Sequence, residues 1–153
     1  MKLRKPKEIC LGVLRRMSDC LFCKIAKEEV SCSKVWENDK IVAFLDLYPV
    51  NKGHVLVIPK EHYETILDVP DDLLQELILV VKKLSKVVKD AMGAGGFNVG
   101  VNNYKVAGQI IPHAHFHIIP RFEDDGLKHW SSGKYEDGEI GGVLDKIKLF
   151  LSK

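Results

Sequence analysis

Apolar residues recur along the chain in two rhythms, and the change from one to the other locates its elements. Val35-Trp36 and Ile41-Val42-Ala43-Phe44-Leu45 are apolar runs rich in β-branched and aromatic residues, separated by the polar break Glu37-Asn38-Asp39-Lys40. That pattern predicts a hairpin of two strands. Pro49 and an Asn51-Lys52-Gly53 turn lead to His54-Val55-Leu56-Val57-Ile58, an unbroken apolar run closed by Pro59, which predicts a third, buried strand. After Pro70 the period lengthens. Leu73, Leu74, Leu77, Ile78, Val81, Leu84, Val87 and Val88 recur at helical spacing behind Asp71-Asp72, with Lys82, Lys83, Lys86 and Lys89 between them. This predicts a long amphipathic helix whose acidic residues sit at the positive end of its dipole. Gly93, Gly95 and Gly96 stop it, and residues 97–102 predict a fourth strand. A polar loop over 103–109 precedes Ala114-His115-Phe116-His117-Ile118-Ile119, a fifth strand ended by Pro120. Val143, Leu144, Ile147, Phe150 and Leu151 predict a short C-terminal helix. Strands joined by short turns, with one long helix inserted late, make an α+β domain around a mainly antiparallel five-stranded sheet.

Composition narrows this picture. The chain has 153 residues, room for one core rather than two. Lys and Arg number 23 against 21 Asp and Glu, a net charge of +2 that argues against a chain-wide nucleic-acid surface. No segment approaches the ~18 consecutive apolar residues of a membrane span, so no membrane partner is expected and a cytoplasmic location is. Residues 1–17 read as a basic extension ahead of a domain over 18–153. Their apolar patch of Ile9, Cys10, Leu11, Val13 and Leu14 is broken by Gly12 and ends in Arg15-Arg16, where a secretory signal would carry small residues. Met17 is an equally good translation start. Four cysteines in this length do not make a disulfide scaffold. Cys20-x-x-Cys23 leaves a redox pair, a metal site and an incidental pair all open, and Cys10 and Cys32 have no ligand spacing.

The histidines carry more. Three of the six fall at His113, His115 and His117, where period-two alternation on a strand points all three imidazoles to one face. Clustered imidazoles repel when protonated and are costly to desolvate, so the cluster points to ligation or to proton and phosphoryl chemistry. A zinc hydrolase, a nucleophilic histidine and a structural metal site all satisfy these residue types.

His113-Ala114-His115-Phe116-His117-Ile118-Ile119 resembles the signature of the histidine-triad (HIT) nucleotide-binding family, in which three histidines alternate with apolar residues. Phe44-Leu45-Asp46 before Pro49, the block from Gly53 to Lys60, Asn102-Asn103, Ala107-Gly108-Gln109 and Pro120-Arg121 stand where that family's other blocks stand, from about Cys20 to Arg121. The resemblance implies a HIT-like fold and a hydrolase or transferase acting at the α-phosphate of a purine nucleotide, in the nucleoside phosphoramidase-like branch. It places the nucleophile at His115, which would form a covalent nucleotidyl-histidine that water resolves, and it gives His117 the phosphate oxygens. A third histidine separates the chain from the family's uridylyltransferase branch, which has Gln there. Asp46 would take the ribose hydroxyls, Asn102 and Gln109 the phosphate or leaving group, Gly108 would let the backbone approach, and His54 would orient a triad imidazole. Ile110 departs from members that place a leaving-group Ser at that position. Cys20, Cys23, His62 and His113 stand where members with this cysteine pair hold a structural zinc, a closed tetrahedral site. Members of this size are homodimers, and the apolar face from Leu73 to Val88 fits one. Runner-up readings are a dinucleoside polyphosphate hydrolase, a nucleotide-binding regulatory protein with little turnover, and a metal-stabilised interaction domain. His129, beside Trp130, is expected at the surface.

Overall fold

The computed structural model describes residues 19–128 and 130–152; the basic extension and His129 lie outside the described residues. Strands β1 (Lys34–Glu37), β2 (Ile41–Leu45), β3 (Val55–Pro59), β4 (Gly96–Val101) and β5 (Phe116–Arg121) form one sheet in the order β1-β2-β3-β5-β4, every neighbouring pair antiparallel. Helix α1 (Leu21–Ala26) precedes the sheet, α2 (Asp71–Ala91) joins β3 to β4, and α3 (Glu139–Leu151) follows β5. No helix among the described residues is long and apolar enough to cross a membrane.

Alternation along the strands sorts their residues onto two covered faces. On one, Ile41, Ala43, Val55, Val57, Phe116 and Ile118 pack against Leu73, Leu77, Val80, Val81, Leu84 and Val88 of α2. On the other, Val42, Phe44, Leu56 and Ile58 meet Cys20, Phe22, Cys23 and Ile25 in and just before α1. The inner stripe of α2 differs from the predicted one at its flanks. Val80 and Ser85 are buried, whereas Ile78 and Val87 are about half exposed, because apolar residues on neighbouring rows of the helix leave the width of the stripe undetermined. Helix α1, unforeseen from the sequence, has six residues, too few to establish a helical period. Helix α3 forms where predicted and buries none of its residues in the chain.

The fifth strand begins two residues later than predicted and runs through Pro120. Pairing with β3 ends at Ile118, while pairing with β4 continues to Arg121. The Pro120 carbonyl, turned away from β4, accepts a hydrogen bond from Asn51 Nδ2 (2.9 Å), so the missing proline N–H faces that same unladdered side and costs no strand pairing. His113 and His115 consequently lie in an extended approach to β5, and only His117 is in the strand. The turn into β3 is set by Gly53, whose φ is +92° and whose missing Cβ would lie 2.7 Å from Met92 Cγ.

Candidate active site and metal centre

Asp46 leaves the end of β2, His54 enters β3 beside it, and the His117 side chain rises from β5 on the same face of the sheet. Asp46 Oδ1 accepts from the Tyr48 N–H (2.9 Å), capping the following turn, while Oδ2 lies 3.6 Å from His54 Nδ1. The Val50 N–H donates to His54 Nδ1 (3.2 Å). A peptide N–H only donates, so the neutral His54 ring carries its proton on Nε2. That Nε2 is 3.0 Å from His117 Nδ1 and donates to it, which puts the proton of His117 on Nε2, a buried nitrogen with no partner among the described residues. His115 is set by a different peptide group: its Nδ1–H donates to the His113 carbonyl (2.7 Å), leaving Nε2 with a free lone pair. The His115 and His117 ring centroids are 4.8 Å apart. One nitrogen able to attack therefore sits beside one able to donate.

Burial keeps these rings neutral. Desolvation lowers His54 and His115 below the ordinary imidazole value, and it pushes His117 down to about 4 with help from the neighbouring His115 and His54. Asp46, His54 and His117 also bring ligand atoms within 4.8 Å of one another, but the two rings are already joined in the hydrogen-bonded chain.

A second cluster lies on the same face. Cys20, Cys23, His62 and His113 bring their ligand atoms within 4.8 Å of one another. Cys23 Sγ is 3.3 Å from His62 Nδ1 and 3.5 Å from His113 Nδ1, and Cys20 Sγ is 3.5 Å from His113 Nδ1. Zinc–sulfur bonds of about 2.3 Å and zinc–nitrogen bonds of about 2.0–2.1 Å at tetrahedral angles separate sulfur from nitrogen by about 3.5 Å, so these residues fit the ion. His113 Nε2–H donates to the Pro59 carbonyl (2.9 Å), which turns Nδ1 toward the thiols as a ligand. Burial, then the adjacent Cys20, pushes the Cys23 thiol up to about 12, with the Lys27 ammonium offsetting only a little of the rise. A divalent ion would reverse that and hold both as thiolates. His113 thus serves two clusters, its ring facing the cysteines and its carbonyl holding His115. Phe22, between the two cysteines, stands edge-on to His113 and to His115, with centroids 5.9 and 5.2 Å away.

The β4–β5 loop contributes differently from expectation. Gly108 has φ +87°, and the Asn102 amide lies 3.5 Å from its carbonyl. The Gln109 side chain is spent inside the protein: Oε1 accepts from the Tyr104 N–H (2.7 Å) and Nε2 donates to the Glu64 carbonyl (2.6 Å). It shapes the loop rather than facing the open side. Sequence reasoning missed the Val50 N–H and the Pro59 and His113 carbonyls, since every residue carries such groups. It also missed Phe22, whose place between the paired cysteines was the available signal.

The HIT domain model matches residues 27–124. The adenosine 5′-monophosphoramidase of Candida albicans is 38% identical over 142 residues, 89% of this chain and 93% of that protein. A crystal structure from Streptococcus mutans superposes with a TM-score of 0.82 at 36% identity, covering 87% of this chain and 85% of the other. A zinc-bound histidine-triad protein of Mycobacterium smegmatis does so at 0.70 and 26%, covering 86% and 97%. With its three alternating histidines, its antiparallel five-stranded sheet and this match over most of its length, the chain belongs to the HIT family.

Proposed function

We propose that this protein hydrolyses purine nucleoside 5′-phosphoramidates through a covalent nucleotidyl-histidine on His115. The observation that carries the reading is the pairing of a bare His115 Nε2 with a buried, unpartnered His117 Nε2–H. Attack by His115 Nε2 forms an N–P bond as the P–N bond breaks, the leaving amine taking a proton from solvent that the water of the second step gives back. His117 Nε2–H donates to a phosphoryl oxygen as charge builds there. Water then cleaves the N–P bond, releasing the nucleoside monophosphate and restoring the ring. Asp46 Oδ2 accepts from the ribose hydroxyls, Asn102 and the backbone at Gly108 line the phosphate and leaving-group side, and His54 orients His117. The name of the C. albicans relative supports a phosphoramidate substrate.

Zinc, bound by Cys20, Cys23, His62 and His113, would supply a structural crosslink between the start of α1 and the approach to β5, and the zinc-bound relative supports this choice of ion. The functional unit spans 18–153, acts as a homodimer in the cytoplasm, and does not need the basic extension. Acid quenching during turnover of adenosine 5′-phosphoramidate, followed by peptide mass spectrometry, tests the mechanism. An adenylate on the His115 peptide, absent from His115→Ala, is expected. Turnover without any adenylate in a rapid quench, or near wild-type kcat in His115→Ala, would overturn it. Faster hydrolysis of dinucleoside polyphosphates than of any phosphoramidate would replace the substrate assignment and leave the mechanism standing.

A further inference from the structure

The tautomer of His54 is contested by two neighbours. The Val50 N–H donates to Nδ1 at 3.2 Å, while Asp46 Oδ2, 3.6 Å from the same nitrogen, can accept a proton from it. A neutral ring has one N–H, so the two partners call for opposite forms. With Val50 in place Nδ1 is bare, Nε2–H points at His117 Nδ1, and the His117 proton sits on Nε2. If Val50 withdraws, the Asp46 carboxylate favours Nδ1–H, His54 Nε2 becomes an acceptor, and His117 turns its proton inward to Nδ1. His117 Nε2 is then bare and no longer donates. Whatever holds Val50 therefore decides in which sense both rings are protonated.

The next residue holds it. Asn51 Nδ2 carries two hydrogens and meets two acceptors, the Pro120 carbonyl at 2.9 Å and Asp125 Oδ2 at 3.0 Å. Both partners only accept, so the orientation of the amide follows from them. The Asn51 carbonyl takes the His54 N–H (3.0 Å), and the His54 carbonyl takes the Asp46 N–H (3.0 Å). Residues 46–54 thus form a closed loop, and the Asn51 side chain ties it to β5, the strand that carries His117. The far end of the tie is itself fixed. The Asp125 side chain, 5% exposed, accepts from Arg121 Nε (2.6 Å) and Nη2 (3.0 Å) and from the Phe122 and Leu127 N–H groups (3.1 and 2.9 Å). Arg121 Nη1 donates in turn to Asn98 Oδ1 on β4 (2.6 Å). The Arg121 guanidinium holds the Asp125 carboxyl well below the usual carboxylate range, so it stays an acceptor.

We infer that Asn51 is a positioning residue: anchored on Pro120 and Asp125, it keeps the Val50 N–H on His54 Nδ1 and thereby keeps the His117 proton on Nε2. The tautomers follow from this geometry alone, and their effect on turnover rests on the phosphoramidase reading.

The test joins ¹⁵N NMR of the imidazole nitrogens in the free protein to steady-state kinetics on adenosine 5′-phosphoramidate. The wild type should carry the protons of His54 and His117 on Nε2. Asn51→Ala should shift both toward Nδ1 and lower kcat by about tenfold or more, with KM within about threefold, since losing one such donor outright costs about 10²–10³. Asn51→Ser keeps one donor and should shift both readouts less in the same direction, which preserves the test if the alanine variant does not fold. Asn51→Gln keeps both amide hydrogens and should recover most of kcat. Val80→Ala, a cavity between α2 and the sheet, should melt several degrees lower with tautomers and kcat unchanged. Wild-type tautomers in Asn51→Ala and Asn51→Ser overturn the inference. So does an equal fall in kcat in Val80→Ala, which would make the loss a matter of stability. Shifted tautomers with an unchanged kcat would leave the anchor standing and remove the His117 proton from the mechanism. A wild type that cleaves no phosphoramidate defeats the phosphoramidase reading, and the NMR still decides the anchor.

Discussion

Replacing His54 tests the hydrogen-bonded chain at its middle link. The ring is 2% exposed, accepts from the Val50 N–H at 3.2 Å and donates to His117 Nδ1 at 3.0 Å. His54→Leu keeps an apolar side chain in the space and removes both functions. Val50 is half exposed, so water can reach its freed N–H, but His117 Nδ1 is left without its donor inside the protein. An unsatisfied buried acceptor costs about 1–3 kcal/mol, which in a chain of this size lowers the melting point by about 3–10 °C. The catalytic effect has a separate origin. Without a donor at Nδ1, the His117 proton is no longer confined to Nε2, and the fraction of molecules able to donate to the phosphoryl oxygen falls. Complete loss of one such donor costs about 10²–10³ in kcat, so His54→Leu should lower kcat by about tenfold to several hundredfold. KM should move only a few-fold, because Asp46 still meets the ribose. His54→Gln retains an amide N–H that can reach His117 Nδ1 and should recover most of kcat. Steady-state kinetics on adenosine 5′-phosphoramidate, with ¹⁵N NMR of the imidazole nitrogens, read both effects. A His54→Leu kcat within twofold of wild type, or a wild-type His117 protonated at Nδ1, would refute the reasoning.

Further outcomes follow from the same geometry. Burial lowers His54 and His115 and brings His117 to about 4, so these rings bind fewer protons folded than unfolded between pH 4 and the ordinary imidazole value. Their contribution is fully present above about pH 6.5 and is lost as pH falls toward 4; a melting point rising steadily from pH 7 down to pH 5 would contradict this. kcat/KM should likewise be flat through neutrality and fall on the acid side as His115 Nε2 takes a proton, and a rate that climbs with acid would rule out a neutral imidazole nucleophile. Protein purified without chelator should hold about one zinc per chain, and Cys20→Ser with Cys23→Ser should lose it and melt roughly 10 °C lower, with stability affected more than kcat; elemental analysis and calorimetry decide. A chain starting at Met17 keeps Cys20, Cys23 and every proposed pocket residue, so its kcat/KM should stay within a few-fold of the full chain. A loss of about a hundredfold, roughly 2.7 kcal/mol, would place the extension in the site.

Legibility in the sequence followed the length and periodicity of each signal. The β1–β2 hairpin, β3 and α2 extend over enough residues for their apolar spacing to identify them, and β3 in particular is apolar on both faces because helices cover both. Six-residue α1 was not legible, nor was the late start of β5, where a proline that reads as a stop is carried on the side that has lost its neighbour. At the site, spacing singled out His113, His115, His117 and the cysteine pair, whereas Asp46, His54 and His62 entered only through the resemblance to the HIT family; the structure gathers these residues into two clusters. Gln109 fits its block in the sequence, but its amide is engaged in the loop, a fact of tertiary position that no spacing reveals.

What the sequence carries least is the assignment of protons, because peptide groups make it. His115 and His117 are chemically identical side chains two residues apart, and composition gives no reason for one to attack and the other to donate. The difference arises because the His115 Nδ1–H meets a carbonyl while His117 Nδ1 meets an imidazole N–H that itself answers to the Val50 amide. Two neutral rings, each free to choose either tautomer in water, are fixed in opposite senses by one carbonyl and one amide on different segments of the fold. The same carbonyl belongs to His113, whose ring faces the paired cysteines. Any shift of that ring is therefore passed to the His115 tautomer through two backbone bonds. This link gives the cysteine double substitution an effect on kcat smaller than its effect on melting, yet measurable, with His115 the residue whose ¹⁵N signals should move.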